Sequence, residues 1–238
     1  DYGPFGFIEI FNPKYQPWTG GGLHFSFFNQ ARAAQKNFKS FCNSLKPLLQ
    51  KNIEALQKLE NIGKDFPNIM QEKIENMWVS KLGISSFNVD LFEDLINLMI
   101  DTKVDYTIFF RELSNIPSTV SDIEKSFYDN FEDEDLKDRW QKWLETWNSF
   151  LDIKDEESKK SLSIKMKLIN PKYILREWHL VKAYQEAQKG DYKLVNELQE
   201  IMTNPYEEQT KEIEEKYYTK KPKDFFGIAG ISHVSCSS

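Results

Sequence analysis

From Asn29 onward, apolar residues recur three, four or five positions apart with polar residues between them, the period of helices rather than strands. Ala33, Phe38, Phe41, Leu45, Leu48 and Leu49 predict one apolar helix face, with Cys42 beside it as a small buried hydrophobe and Pro47 as a kink or a new start. Ile53, Leu56, Leu59 and Ile62 predict a second helix, broken near Gly63 and Pro67. A third, carrying Ile69, Met70, Ile74, Met77 and Trp78, closes at Lys81-Leu82-Gly83, where glycine follows a basic residue. Residues 90–103 and 104–114 read as further helices, the latter rich in aromatics, and 118–129 as a shorter one. Trp140, Trp143, Leu144 and Trp147 fall at i, i+3, i+4 and i+7, a stripe that suits a core better than a ligand cage. Beyond a charged linker a helix opens near 154–160. Asn170-Pro171 then breaks the pattern, with a restart just past the proline that runs to Gly190. Residues 191–203 and 207–218 complete the helical stretches. Only 6–11 and 25–28 hint at strands, so the chain reads as mainly α.

The remaining segments punctuate this pattern. Residues 12–22 hold two prolines and three consecutive glycines, which predicts an irregular surface loop. The glycines are not followed by the Gly-Lys-Ser/Thr of a phosphate-binding loop. The tail from Lys220 has no periodicity and reads as a flexible end carrying a thiol, Cys236.

Composition narrows the function classes. The 238 residues, 40% hydrophobic and 29% charged, suffice for one large domain or two small ones. A net charge of −6 without a basic block argues against a nucleic-acid partner, which needs clustered cations. Two cysteines make no disulfide framework and show no zinc spacing. No apolar run is long enough for a transmembrane segment, and no charged leader is present.

Candidate chemistry concentrates at the first residues, Asp1-Tyr2-Gly3-Pro4-Phe5-Gly6-Phe7. Glycines permit close backbone approach and Pro4 fixes one φ, so the segment bends and leaves the Asp1 carboxylate free of the following chain. A carboxylate held in that way suits Mg²⁺, as the Asp-Phe-Gly motif does in protein kinases; the tripeptide taken alone reads better as a simple turn. Elsewhere, His24 reads as a packing residue before a catalyst, and Arg111 as an ion-pair partner or an anchor for a carboxylate or phosphate. Lys172 and Arg176, four apart, would share a helix face and attract an anionic substrate or the tail, or else pair locally. The acidic run 132–135 suits a helix N-terminus better than Ca²⁺, because it lacks spaced ligands and a central glycine.

The opening seven residues resemble the invariant core of the SelO family (selenoprotein O, the YdiU-like pseudokinases). The resemblance continues through His24-Phe25-Ser26-Phe27-Phe28-Asn29-Gln30, Asp105-Tyr106-Thr107-Ile108-Phe109-Phe110-Arg111-Glu112-Leu113, Asn170-Pro171-Lys172-Tyr173-Ile174-Leu175-Arg176 and the terminal Ser235-Cys236-Ser237-Ser238. The chain departs from the family at Glu177, where Asn is usual, and near Pro17, where many bacterial members carry a cysteine. The resemblance implies a protein adenylyltransferase with a kinase-like fold, moving AMP from ATP to hydroxyl side chains of protein substrates with Mg²⁺ or Mn²⁺. Asp1 would hold that metal and, through it, the ATP phosphates, and Cys236 would be a redox candidate. The family's catalytic base and its companion Asn are expected about ten residues upstream of the motif, so no catalytic residue falls in this chain. On this reading residues 1–150 are part of a protein-kinase-like C-lobe and 151–238 a helical C-terminal extension. The missing N-terminal half is the first partner, and the chain alone is inactive. Family members in eukaryotes imply a mitochondrial location. A non-catalytic helical interaction module is the alternative.

Overall fold

The computed structural model describes residues 8–16, 18, 20–129 and 133–232. Among these the chain is mainly helical and forms no strand; isolated β bridges include Ile10 with Asp105 and Val104 with Phe127. Over their described residues the strand-like stretches form no strand: Ile10 makes an isolated bridge, and 25–28 divides between two short 3₁₀ turns.

Helices α1 (Gln30–Leu49) and α2 (Ile53–Leu82) form a hairpin. Phe38 stacks on Phe66 with ring centroids 4.3 Å apart, and a Cβ placed on Gly63 would lie 3.9 Å from the Cys42 sulfur. The expected break at Gly63 and Pro67 does not occur, and α2 runs through both for 30 residues. Pro67 removes a backbone donor and crowds the preceding turn, but Gly63 and Phe66 are held against α1, and packing overrides local preference. Cys42 is buried as expected. Phe41 and Leu48 are not: they are 56% and 80% exposed, because they sit one residue off the positions that face α2. Gly83 ends α2 at φ 69°, and a side chain there would also run into the Met166 sulfur at 2.6 Å, so both backbone and packing require glycine.

The next four helices each begin where the sequence supplies a cap. Asn88 accepts the Leu91 amide at the start of α3 (Val89–Asp101), and Asp105 accepts that of Ile108 at α4 (Tyr106–Leu113). Asp133 accepts two amides at α5 (Glu134–Ser149), so the acidic run serves as a helix cap over its described residues 133–135. Asp155 and Ser158 cap α6 (Glu156–Ile169) reciprocally. Helices α7 (Glu177–Gln188), α8 (Lys193–Thr203) and α9 (Lys211–Tyr217) follow. Residues 118–129 supply only a 3₁₀ turn, Val120–Ser126.

Two cores result. The larger gathers α3, α4, α5 and the ends of α2 and α6 around Trp140, Trp143, Leu144 and Trp147, all buried as the spacing predicts. Each indole N–H finds an acceptor: Thr102 Oγ1 at 3.3 Å, the Leu91 carbonyl at 3.0 Å and the Leu82 carbonyl at 2.8 Å. The smaller core joins Ile108 of α4 to Tyr173, Ala183, Leu198, Ile201, Tyr217 and Tyr218. Helix α4 is thus shared, with Phe109, Phe110 and Leu113 turned to one core and Ile108 to the other.

Two further expectations change. No helix restarts at Pro171: residues 171–176 are non-helical, the Lys172 and Tyr173 amides donate to the Pro205 carbonyl, and α7 begins only at Glu177. The tail is docked rather than free as far as Ser232, with Lys221 and Ile231 buried.

Candidate functional site

The segment that follows the opening motif is fastened by a buried ionic joint. Glu9 and Phe11 pair with the backbone entering α4: the Tyr106 amide donates to the Glu9 carbonyl at 2.9 Å, and the Phe11 amide to that of Val104 at 2.7 Å. This places the Glu9 side chain beside Asp105, the α4 cap. Asp105 is fully buried and accepts two hydrogen bonds from Arg176, Nη1 to Oδ2 at 2.8 Å and Nη2 to Oδ1 at 3.0 Å. The Tyr128 hydroxyl donates to Asp105 Oδ2 at 3.0 Å. Glu9 in turn accepts from Arg176 Nη1 at 3.2 Å and from the Trp178 indole at 2.9 Å, and pairs with Lys221 at 3.3 Å. Lys221 also donates to Ser232 Oγ at 2.7 Å, which brings in the tail. Four stretches distant in sequence therefore meet at two carboxylates and two cations.

The charges balance, which is the condition for burying them at tolerable cost. Burial works against the Arg176 charge, but Asp105 and then Glu9 outweigh it, and the guanidinium pKa lies above its usual range. Burial first, and the Asp105 charge second, push the Tyr128 hydroxyl up, so it stays a donor.

A second cluster lies beneath the smaller core. Lys172 pairs with Glu208 and, at 2.7 Å, with Glu214. Arg111 donates to Glu208 and to the carbonyls of Lys167 and Asn170, both at 3.1 Å. Partial burial would raise the Glu208 pKa, but the hydrogen bonds from Lys172 and Arg111 prevail and lower it to about 2. Next to them Lys81 donates to Asn170 Oδ1 at 2.8 Å and lies over the Phe110 ring, 4.4 Å from its centroid. Burial lowers its pKa to about 8.

Arg111, Lys172 and Arg176 are thus ion-paired inside the protein, and none is open to an outside anion. Lys172 and Arg176 do not share a helix face, since their segment is not helical; they reach different carboxylates. What the fold adds is the meeting of the 105–113 and 170–176 motifs, at Arg176 with Asp105 and at Arg111 with the Asn170 carbonyl. Sequence reasoning missed Glu9, Tyr128 and Lys221. Glu9 had a signal, because it is the one charged residue among Ile8, Ile10 and Phe11. His24 is exposed, and among the described residues no group of His, Cys, Asp or Glu could hold a metal ion. Asp1 and Cys236 lie outside the described residues, so their metal and redox assignments rest on the sequence. Among the described residues no helix is long and apolar enough to cross a membrane.

Comparison with known proteins gives the chain its place. Residues 1–203 match the family described as Protein adenylyltransferase SelO. The protein nucleotidyltransferase YdiU of Flavobacterium johnsoniae is 34% identical over 251 residues, an alignment that covers 100% of this chain and 47% of the relative. The YdiU proteins of Aromatoleum aromaticum and Vibrio parahaemolyticus are each 30% identical, across 100% of this chain and 46% and 47% of their own lengths. The chain spans about half the length of the curated relatives it matches. It belongs to the SelO family.

Proposed function

We propose that this chain is the C-terminal portion of a protein adenylyltransferase, which moves AMP from ATP to hydroxyl side chains of protein substrates. The observation that carries the reading is the family match, which begins at the Asp1 motif and runs through the two motifs that meet in the ionic joint. In this reading residues 1–150 are the lower part of a kinase-like C-lobe, and residues 151–238 are a family-specific extension. Asp1 holds a divalent ion, Mg²⁺ or Mn²⁺, and the ion when bound neutralises charge on the ATP phosphates. The described residues serve by positioning. Glu9, Arg176 and Asp105 fasten the backbone at Glu9, two residues past the motif. The base that accepts the acceptor hydroxyl's proton, and the groups that grip the phosphates, belong to the half of the protein upstream. A mitochondrial location and a redox role for Cys236 complete the reading.

The test compares this chain with a polypeptide extended upstream to the length of its relatives. Each is incubated with Mg²⁺, ATP labelled in its AMP moiety and an acceptor protein. Label should pass to protein only with the extended form. Transfer by the 238-residue chain alone would contradict the division of labour, and transfer by neither would favour a non-catalytic helical module.

A further inference from the structure

Helix α1 is singular in its charge. Its 20 residues include Arg32, Lys36, Lys39 and Lys46 and no carboxylate, within a chain whose net charge is −6. The four cations are spread out in sequence and form no block. Their offsets of four, three and seven residues nevertheless put them on one side of a helix. All four are exposed, and among the described residues none makes a salt bridge, although cations elsewhere commonly do. The helix packs chiefly on α2 and two short turns at its start. At 1.5 Å per residue the stripe is about 21 Å long, which an extended peptide of about six or seven residues would cover.

We propose that this stripe is a docking surface for a protein segment rich in carboxylates. Like charges aligned along one face repel each other, and a partner that alternates or clusters Asp and Glu relieves that repulsion as it binds. A membrane surface fits less well. The exposed apolar residues of the same helix, Phe41 and Leu48, follow Lys39 and Lys46 by two residues, about 200° round the helix, so one flat surface cannot take both sets. Nucleic acid fits less well too, since four charges on an otherwise acidic chain offer a polyanion little gain. The proposal does not depend on catalysis and is tested on the chain itself.

A fluorescein-labelled peptide of ten glutamates is titrated with the protein and followed by anisotropy at 25 and 250 mM NaCl. The wild-type chain should bind at low salt and weaken about tenfold or more at high salt. Replacing the stripe (R32Q, K36Q, K39Q and K46Q together) should weaken low-salt binding by about tenfold or more. A control that removes four cations elsewhere (K160Q, K165Q, K193Q and K211Q) should stay within about twofold of the wild type. All these side chains are exposed, and unchanged circular dichroism verifies folding of both variants. The proposal is overturned if the wild type does not bind, if the two variants bind equally, or if phosphatidylserine vesicles or a uridine oligonucleotide bind the stripe more tightly than the peptide.

Discussion

The tryptophan core and the ionic joint are both closed to solvent, yet they are built of opposite materials. Around α5 three indoles and their neighbours fill space, and polar atoms appear only where an N–H needs an acceptor. At the joint, Asp105 and Arg176 are equally buried but face each other as charges, with Glu9, Tyr128 and Lys221 completing the set. The contrast teaches where a fold tolerates change. An apolar core loses stability in proportion to the volume removed. A balanced ionic joint fails at once when one member goes, because the partner stays behind as an unpaired buried charge. The joint therefore suits a task of alignment: it holds four distant stretches in one register, and it cannot be partly made.

The sharpest way to break this comparison is at Arg176. Arg176→Ala should cost about 3–5 kcal/mol in urea unfolding, and combining it with Asp105→Ala should cost clearly less than the sum of the two. Strict additivity would show that the pair is not coupled. Trp147→Phe keeps the core apolar but strands the Leu82 carbonyl, and should cost about 1–3 kcal/mol by the same measurement. An effect absent at neutral pH, and visible only as a pH slope, belongs to His179. Its ring is wedged between Trp178 and Tyr217, and burial, reinforced by Arg176, lowers its pKa from 6.5 to about 3. The unfolded chain takes up this proton below pH 6.5 and the folded chain does not, so stability should fall as pH drops from 6.5 towards 3. The steepest slope is about 1.4 kcal/mol per pH unit, and His179→Phe should remove this part of it. The least effect is expected at Glu208, whose side chain is 55% exposed. Its contribution is complete above its ordinary pKa of 4.5 and disappears as pH falls through about 2. Glu208→Gln should therefore cost less than about 1 kcal/mol near neutral pH, and a larger loss would place Glu208 with the buried joint.

The two regions also differ in how far the sequence discloses them. The tryptophan stripe is legible because helical periodicity marks burial directly, and the cap at Asp133 is visible for a similarly local reason, as part of the acidic run 132–135. Pro67 misleads because a proline rule weighs the local chain and cannot weigh Phe38 stacked on Phe66. The joint is legible only as motif words. Asp105 and Arg176 stand 71 residues apart and Glu9 and Trp178 169 apart, and no periodicity connects such positions. The extended path of 171–176 is equally invisible, since it depends on the Pro205 carbonyl receiving two of its amides.

The central claim is that Asp1 grips the divalent ion of a bound nucleotide once the upstream half is present. The direct measurement is calorimetric titration of ATP with Mg²⁺ into the upstream-extended protein, with and without Asp1→Ala. The account predicts that the substitution abolishes the metal-dependent part of binding and lowers AMP transfer by at least about a hundredfold. Unchanged metal-dependent binding together with unchanged transfer would contradict it.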